Sequence, residues 1–160
     1  MKKIILLLTL VFAFNIASSQ VDVIKKQIGE TLRGKIVSVD DNVIVFTYDG
    51  KNEEFTIAKN AVEKITYGRT GQVVQTSNKI TVNVEADWQK VVILESLNLT
   101  AGLEVGEQIG IKTDLANYQS SKSDSDVIKR LKMQAATLGY PFILITTDNA
   151  SNRIAEVYKY

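Results

Sequence analysis

The chain contains no cysteine and no histidine among its 160 residues. Without them it can hold no Ser-His-Asp triad, no Cys-His dyad, no thiolate or imidazole zinc site and no covalently attached haem. The missing cysteines also exclude a disulfide framework and an acylated cysteine anchor. Strong charge of either sign is lacking too: 19 Lys and Arg stand against 18 Asp and Glu, a formal charge of +1. General binders of nucleic acid or anionic membranes carry a clear basic excess, so neither class is expected. Long apolar runs are the last absence. Ile4 to Phe14, interrupted only by Thr9, falls short of the roughly 20 residues a hydrocarbon core requires. Later apolar runs are short, and Phe142 to Ile145 has the length of a buried strand.

What is present begins with an address. Met1, Lys2 and Lys3 make a basic start, the short apolar run follows, and Asn15 to Ser19 supply small residues, with Ala17 and Ser19 where a signal peptidase inspects. This is the pattern of a secretory leader, predicting a signal peptide over residues 1–19 and a cut before Gln20. Loss of Lys2 and Lys3 turns the formal charge from +1 into about −1. The mature chain is expected to be exported, to the periplasm or beyond, with no lipid anchor and no inserted segment.

Residues 20–75 read as short β-branched and aromatic runs separated by turn residues. Strands are predicted over 21–25, 31–39, 43–48 and 53–57, a single helical turn over 58–61, and a last strand over 62–67. Asp40, Asp41 and Asn42 form one turn signal and Asp49 with Gly50 another, because Asp and Asn tolerate left-handed backbone and Gly adopts it freely. Five short strands at this spacing predict a small closed five-stranded β-barrel. Asp22, Val23 and Ile24, then Gly34 to Val37, Ile44, and Ile57 with Lys59, Val62, Lys64, Ile65 and Tyr67 give this stretch its likeness. It resembles the SH3-like or Sm-like barrel module of exported bacterial proteins, which implies a fold and no chemistry.

Gly68 to Gln72 predict a flexible connection, and the polar stretch Gln75 to Asn78 a boundary near residue 75. Residues 76–160 have a different pattern. Strands are predicted over 79–85, 88–94 and 104–112, and a loop over 114–121. Ser123 to Asp126 suit a helix start, with a capping hydroxyl and acidic residues at the positive end of the dipole. Val127, Ile128, Leu131, Ala135 and Leu138 then lay an apolar stripe at helical spacing. Gly139 and Pro141 stop that helix, and strands over 142–147 and 153–160 flank a turn over 148–152. The fold class expected for the whole is α+β, with one main helix on a sheet following the barrel. Trp88, Val91, Val92, Gly102, Leu103, Val105 and Gly106 lead to Leu131, Lys132, Ala135, Ala136, Leu138 and Gly139, then Ile143 to Ile145. This line resembles the envelope domain of the Rcs stress-sensor lipoprotein and related exported proteins. The sensor is acylated on cysteine and disulfide-linked, and a chain without cysteine departs from both.

Chemistry-bearing motifs are few. Asp40 with Asp41 and Glu53 with Glu54 sit beside hairpin turns, where solvation gives two carboxyls no reason to separate in pKa. Asp124 and Asp126 lack the third acidic position, the Gly and the distal Glu of a calcium loop. Gly68 to Gly71 have the form of a phosphate-clamping loop, but follow a strand rather than joining two helices. Asn98 with Thr100, and Asn149 with Ser151, match a glycosylation pattern relevant only in a glycosylating host. No catalytic residue, metal site or cofactor is predicted. The expected function is a non-enzymatic envelope accessory module whose partner is another envelope protein, bound at exposed strand edges. The alternative is a small-molecule or enzyme site in a groove between the two units, built from Tyr67, Trp88 and Tyr140.

Overall fold

The computed structural model describes residues 21–110, 124–147 and 153–160. The leader predicted over residues 1–19, the loop predicted over 114–121, the turn predicted over 148–152 and the Asn149 motif lie outside these. The described residues form ten strands and one α-helix in two open, mostly antiparallel sheets, so the chain is mixed α+β. Among them no helix is long and apolar enough to cross a membrane.

The first sheet joins β1 (Asp22–Lys26), β2 (Thr31–Val39), β3 (Val43–Tyr48), β4 (Glu54–Ala58), β5 (Val62–Thr66) and β6 (Val73–Gln75) in the order β4-β3-β2-β1-β5-β6. Alternation along these strands turns Ile24, Ile44, Phe46, Ile57 and Ile65 to one side, where with Ala61 and Val62 they form a core. Gly50 takes φ 73° in the β3–β4 turn, a left-handed conformation that costs glycine little. A 3-10 turn, Lys59–Ala61, links β4 to β5. The sequence predicts a closed five-stranded barrel; the structure instead has an open sheet of six strands. The reason lies at its two margins. The outer side of β5 is taken by β6, and the Ala58 N–H on β4 donates to the Ala101 carbonyl at 2.9 Å.

The second sheet runs β7-β9-β10-β8 through β7 (Val92–Leu94), β8 (Glu104–Gly110), β9 (Phe142–Thr147) and β10 (Arg153–Lys159). The β7–β9 pair is parallel. Helix α1 (Asp124–Thr137) lays Leu131, Ala135 and Ala136 against Ile143, Ala155 and Val157. Gly139 ends the helical run at φ 79°, as its position after the apolar stripe predicts. Leu138, expected in that stripe, is exposed, and Ala136 is buried instead.

Two predicted strands are revised. Residues 79–83 join no ladder; Val82 is buried among the α1 contacts and the Ile80 N–H donates to the Tyr160 hydroxyl at 2.8 Å. Tertiary anchoring replaces strand pairing there. The run expected over 88–94 begins within a 3-10 turn, Glu85–Lys90, and becomes strand only at Val92. Asp87 holds that turn: its carboxylate accepts from Lys90 Nζ at 2.7 Å and from the Asn83 N–H at 3.0 Å. Those bonds, the Lys90 one first, keep its pKa below the usual carboxylate range.

Leu103 packs against both the first-sheet core and the cluster of Leu94, Phe142 and Tyr158. Gly102, at φ 85°, presses on Ile57, whose side chain would lie 2.7 Å from an added Cβ. The Tyr158 hydroxyl donates to Glu156 Oε2 at 2.7 Å. Burial, reinforced by that carboxylate, pushes its pKa up from 10.0 to about 12. An unfolded chain loses the phenol proton near pH 10, whereas the folded chain keeps it to about 12. The stabilisation is therefore fully present below pH 10 and is lost as pH rises through about 12. Denaturant titrations at a series of alkaline pH values test this. The stability of the native chain relative to Tyr158→Phe is expected to shrink across that window, and a constant difference would contradict the assignment.

Candidate functional site

One lateral row of the first sheet brings together four residues that lie far apart in the chain. Tyr48 on β3 opposes Gly34 on β2, which opposes Asp22 on β1. The β1–β5 register, with Val23 opposite Thr66, continues the row to Tyr67. Partners directly opposite share a face of the sheet. A large aromatic therefore stands at each end, with a glycine and a short acid between. The result is an open groove of about 850 Å³, lined also by Lys35, Lys51 and Arg69.

Gly34 is required by the backbone. A Cβ at this position would run into the Thr47 carbonyl of the neighbouring strand, so β2 approaches β3 closely only because nothing projects there. Asp22 organises the groove end of β1. Its carboxylate accepts from the Ile36 N–H at 2.9 Å and from the Gly68 N–H at 2.8 Å. These are the amides on β2 and after β5 that β1 is too short to reach, and capping them removes two unpaired donors.

Lys35, Lys51 and Arg69 are exposed. Lys51 Nζ lies 5.6 Å from the Tyr48 ring centroid, within cation–π range. None of the three is in an ion pair among the described residues. Tyr48, itself packed by Phe46 and Phe55, and Tyr67 wall the groove, and three unpaired cations equip it for ionic contact.

Beside the groove, the β5–β6 hairpin presents a free edge. Tyr67 N–H donates to the Gln72 carbonyl and Thr76 N–H to the Glu63 carbonyl, so Val74, opposite Ile65, also faces β5. By the alternation of an antiparallel ladder, the N–H and C=O of Val73 and Gln75 point outward. β6 is held at both ends. Gly71 takes φ 69° in the hairpin loop. Beyond the strand, Gln27 Nε2 donates to the Ser77 carbonyl at 2.9 Å and Ser77 Oγ to the Val62 carbonyl at 2.8 Å.

Of the three aromatics the sequence singles out, Tyr67 lines the groove and packs on the first-sheet core. Trp88 and Tyr140 both pack against the second-sheet core. Lys129 and Lys132 of α1 place Nζ 5.1 and 5.8 Å from the Trp88 ring centroid. The Tyr140 ring covers Gly106 of β8, where any Cβ would collide with it. Tyr67 thus belongs to a different core from the other two. A hollow of about 350 Å³ does lie where the sheets meet, lined by Val43, Thr56, Leu97, Asn98, Thr100 and Ala101, without any of these aromatics. No group of three or more acidic side chains suited to a metal ion occurs among the described residues.

Sequence reasoning missed both the β6 edge and the companions of Tyr67. The adjacent β-branched Val73 and Val74 were the available signal for the former. The latter follows only from cross-strand register. No protein-family model, curated protein or solved structure matches the chain.

Proposed function

We propose that the chain is an exported, non-enzymatic accessory module of the cell envelope that binds another envelope protein by adding one of its extended segments to the β6 edge. The observation that carries this reading is the row of outward backbone groups on β6 beside exposed valines: Val73 is 57% and Val74 37% exposed. An edge with free donors and acceptors is a template for another strand. The other margin of the first sheet is partly covered by Ala101. In the second sheet, the β8 edge carries Glu104 and Glu107 and a register shift opposite β10, devices that discourage pairing. β6 has no charged residue, no proline and no bulge.

The leader pattern of residues 1–19 supports the exported location. The order β4-β3-β2-β1-β5, with a 3-10 turn between β4 and β5, supports the SH3-like reading of the first sheet.

Val73→Pro separates the edge from the fold. Proline removes the outward N–H of residue 73 without touching the Val74–Ile65 pair. With a fluorescent peptide of about ten alternating Val and Thr residues, a strand of ordinary length, fluorescence anisotropy is expected to register binding to the native chain. In Val73→Pro that affinity should fall by at least about tenfold, or 1.4 kcal/mol, with the melting temperature little changed. Equal binding by a folded Val73→Pro chain would rule out strand addition here.

A further inference from the structure

We infer that the groove between Tyr48 and Tyr67 recognises the acidic side chains of an extended polypeptide, making the partner segment carboxylate-rich. The identification of the ligand as a polypeptide rests on the strand-addition reading; its charge rests on the groove alone. The chain as a whole is balanced in charge, but the groove is not arranged in a balanced way. Its cations, Lys35, Lys51 and Arg69, are exposed and without carboxylate partners among the described residues. Of its two acids, Asp22 is engaged by two backbone N–H groups, and Asp49 sits at the exposed β3–β4 turn. Three cations against these two carboxylates leave the lining with a net charge of about +1.

The shape narrows the ligand further. From Tyr48 on β3 to Tyr67 after β5 the row crosses three inter-strand steps, about 14 Å at ordinary sheet spacing. That is the length of about four residues of extended chain. At Gly34 the floor of the trough is backbone, with the Thr47 carbonyl filling the place of a side chain. The Tyr48 ring is packed by Phe46 and Phe55 and overlaid by Lys51, so the tyrosines wall the ends of the groove, and Arg69 can meet a carboxylate with two parallel hydrogen bonds. Ion pairs of this kind add selectivity and speed of encounter more than raw affinity. Because the row runs across the strands and a segment on β6 runs along them, the partner would turn past the β5–β6 loop between the two: the β6 edge would supply tolerant backbone pairing, and the groove would choose among segments.

The test uses the full mature chain and three labelled peptides of about ten residues, alternating Thr with Glu, with Gln or with Lys, measured by fluorescence anisotropy at low and high salt. The Glu peptide is expected to bind at least about tenfold more tightly than the Gln peptide at low salt, with the Lys peptide weakest and the preference reduced by added salt. Lys35→Ala, Lys51→Ala and Arg69→Ala should each erode the preference for Glu, weakening the Glu peptide more than the Gln peptide. Lys129→Ala, on the far helix, should change neither. Equal affinity for the Glu and Gln peptides overturns the inference while leaving strand addition standing. A Glu preference that survives all three groove substitutions also overturns it. Inorganic polyphosphate is the control for anions of another class: if it binds the groove and the Glu peptide does not, the polypeptide ligand is wrong. If Val73→Pro binds every peptide as the native chain does, the strand-addition reading fails by itself.

Discussion

Replacing Phe142 with alanine is expected to remove about 3–5 kcal/mol of stability, the range for truncating a fully buried aromatic. Phe142 is 0% exposed, and every side of it is occupied. As the first residue of β9 it opposes Val92 of β7 on one flank and Tyr158 of β10 on the other. Its ring meets that of Tyr160 edge to face at 5.2 Å. It packs in the cluster with Leu94 and Tyr158 that also takes in Leu103, the residue shared with the first-sheet core. The loss is therefore expected to register in both sheets. Urea unfolding followed by the fluorescence of Trp88, the one tryptophan, and by far-ultraviolet circular dichroism would measure it. Coincident transitions at lower urea are the expected result; a change under about 1 kcal/mol would mean that the site collapses far better than buried aromatic positions do.

Gly34→Ala is expected to cost about 3 kcal/mol, the upper end for forcing extra volume into a packed site. The obstacle is the Thr47 carbonyl, a backbone atom of the neighbouring strand, which cannot rotate away as a side-chain tip can. Relief requires β2 and β3 to part locally, loosening the Gly34–Tyr48 pair and with it one wall of the groove. Gly34→Ala should therefore lower stability and weaken the choice between Glu and Gln peptides together. Stability equal to that of the native chain would show that the close approach of β2 and β3 is not rigid. Gly50, where an added Cβ has open space, provides the contrast: its substitution strains only a turn conformation.

How much of this was legible in the sequence depended on how local the cause was. β2 and β3 match their predicted bounds to the residue, because both their alternation and the turns at residues 40–42 and 49–50 are written within a few positions. The end of α1 was equally plain, since Gly139 and Pro141 act on their own backbone. β6 was not. Three residues are too few to display a period, and its pairing depends on the β5–β6 loop and on Ser77 being tied back to Gln27. The parallel β7–β9 pair joins segments about 50 residues apart, a relation no local pattern encodes.

The site shows the same division. Tyr67 stands out in the sequence as an aromatic at a strand end, but its companions do not. Tyr48, Gly34 and Asp22 join it only through the registers of three strand pairs, and a slip of one residue in any of them would send a side chain to the other face. In a predicted groove between the two units, the sequence groups Tyr67 with Trp88, next to the boundary near residue 75, and with Tyr140. In the fold, the α1 lysines and Gly106 occupy them.

The most direct test of strand addition is amide hydrogen exchange at Val73 and Gln75, whose N–H groups point away from β5. In the free chain both should exchange quickly, while Val74, paired with Ile65, exchanges slowly. With the Glu-containing peptide bound, Val73 and Gln75 are predicted to become protected, and no amide in the hollow between the sheets should change. Protection that leaves Val73 and Gln75 exchanging freely and appears instead around Leu97 to Ala101 would contradict the account.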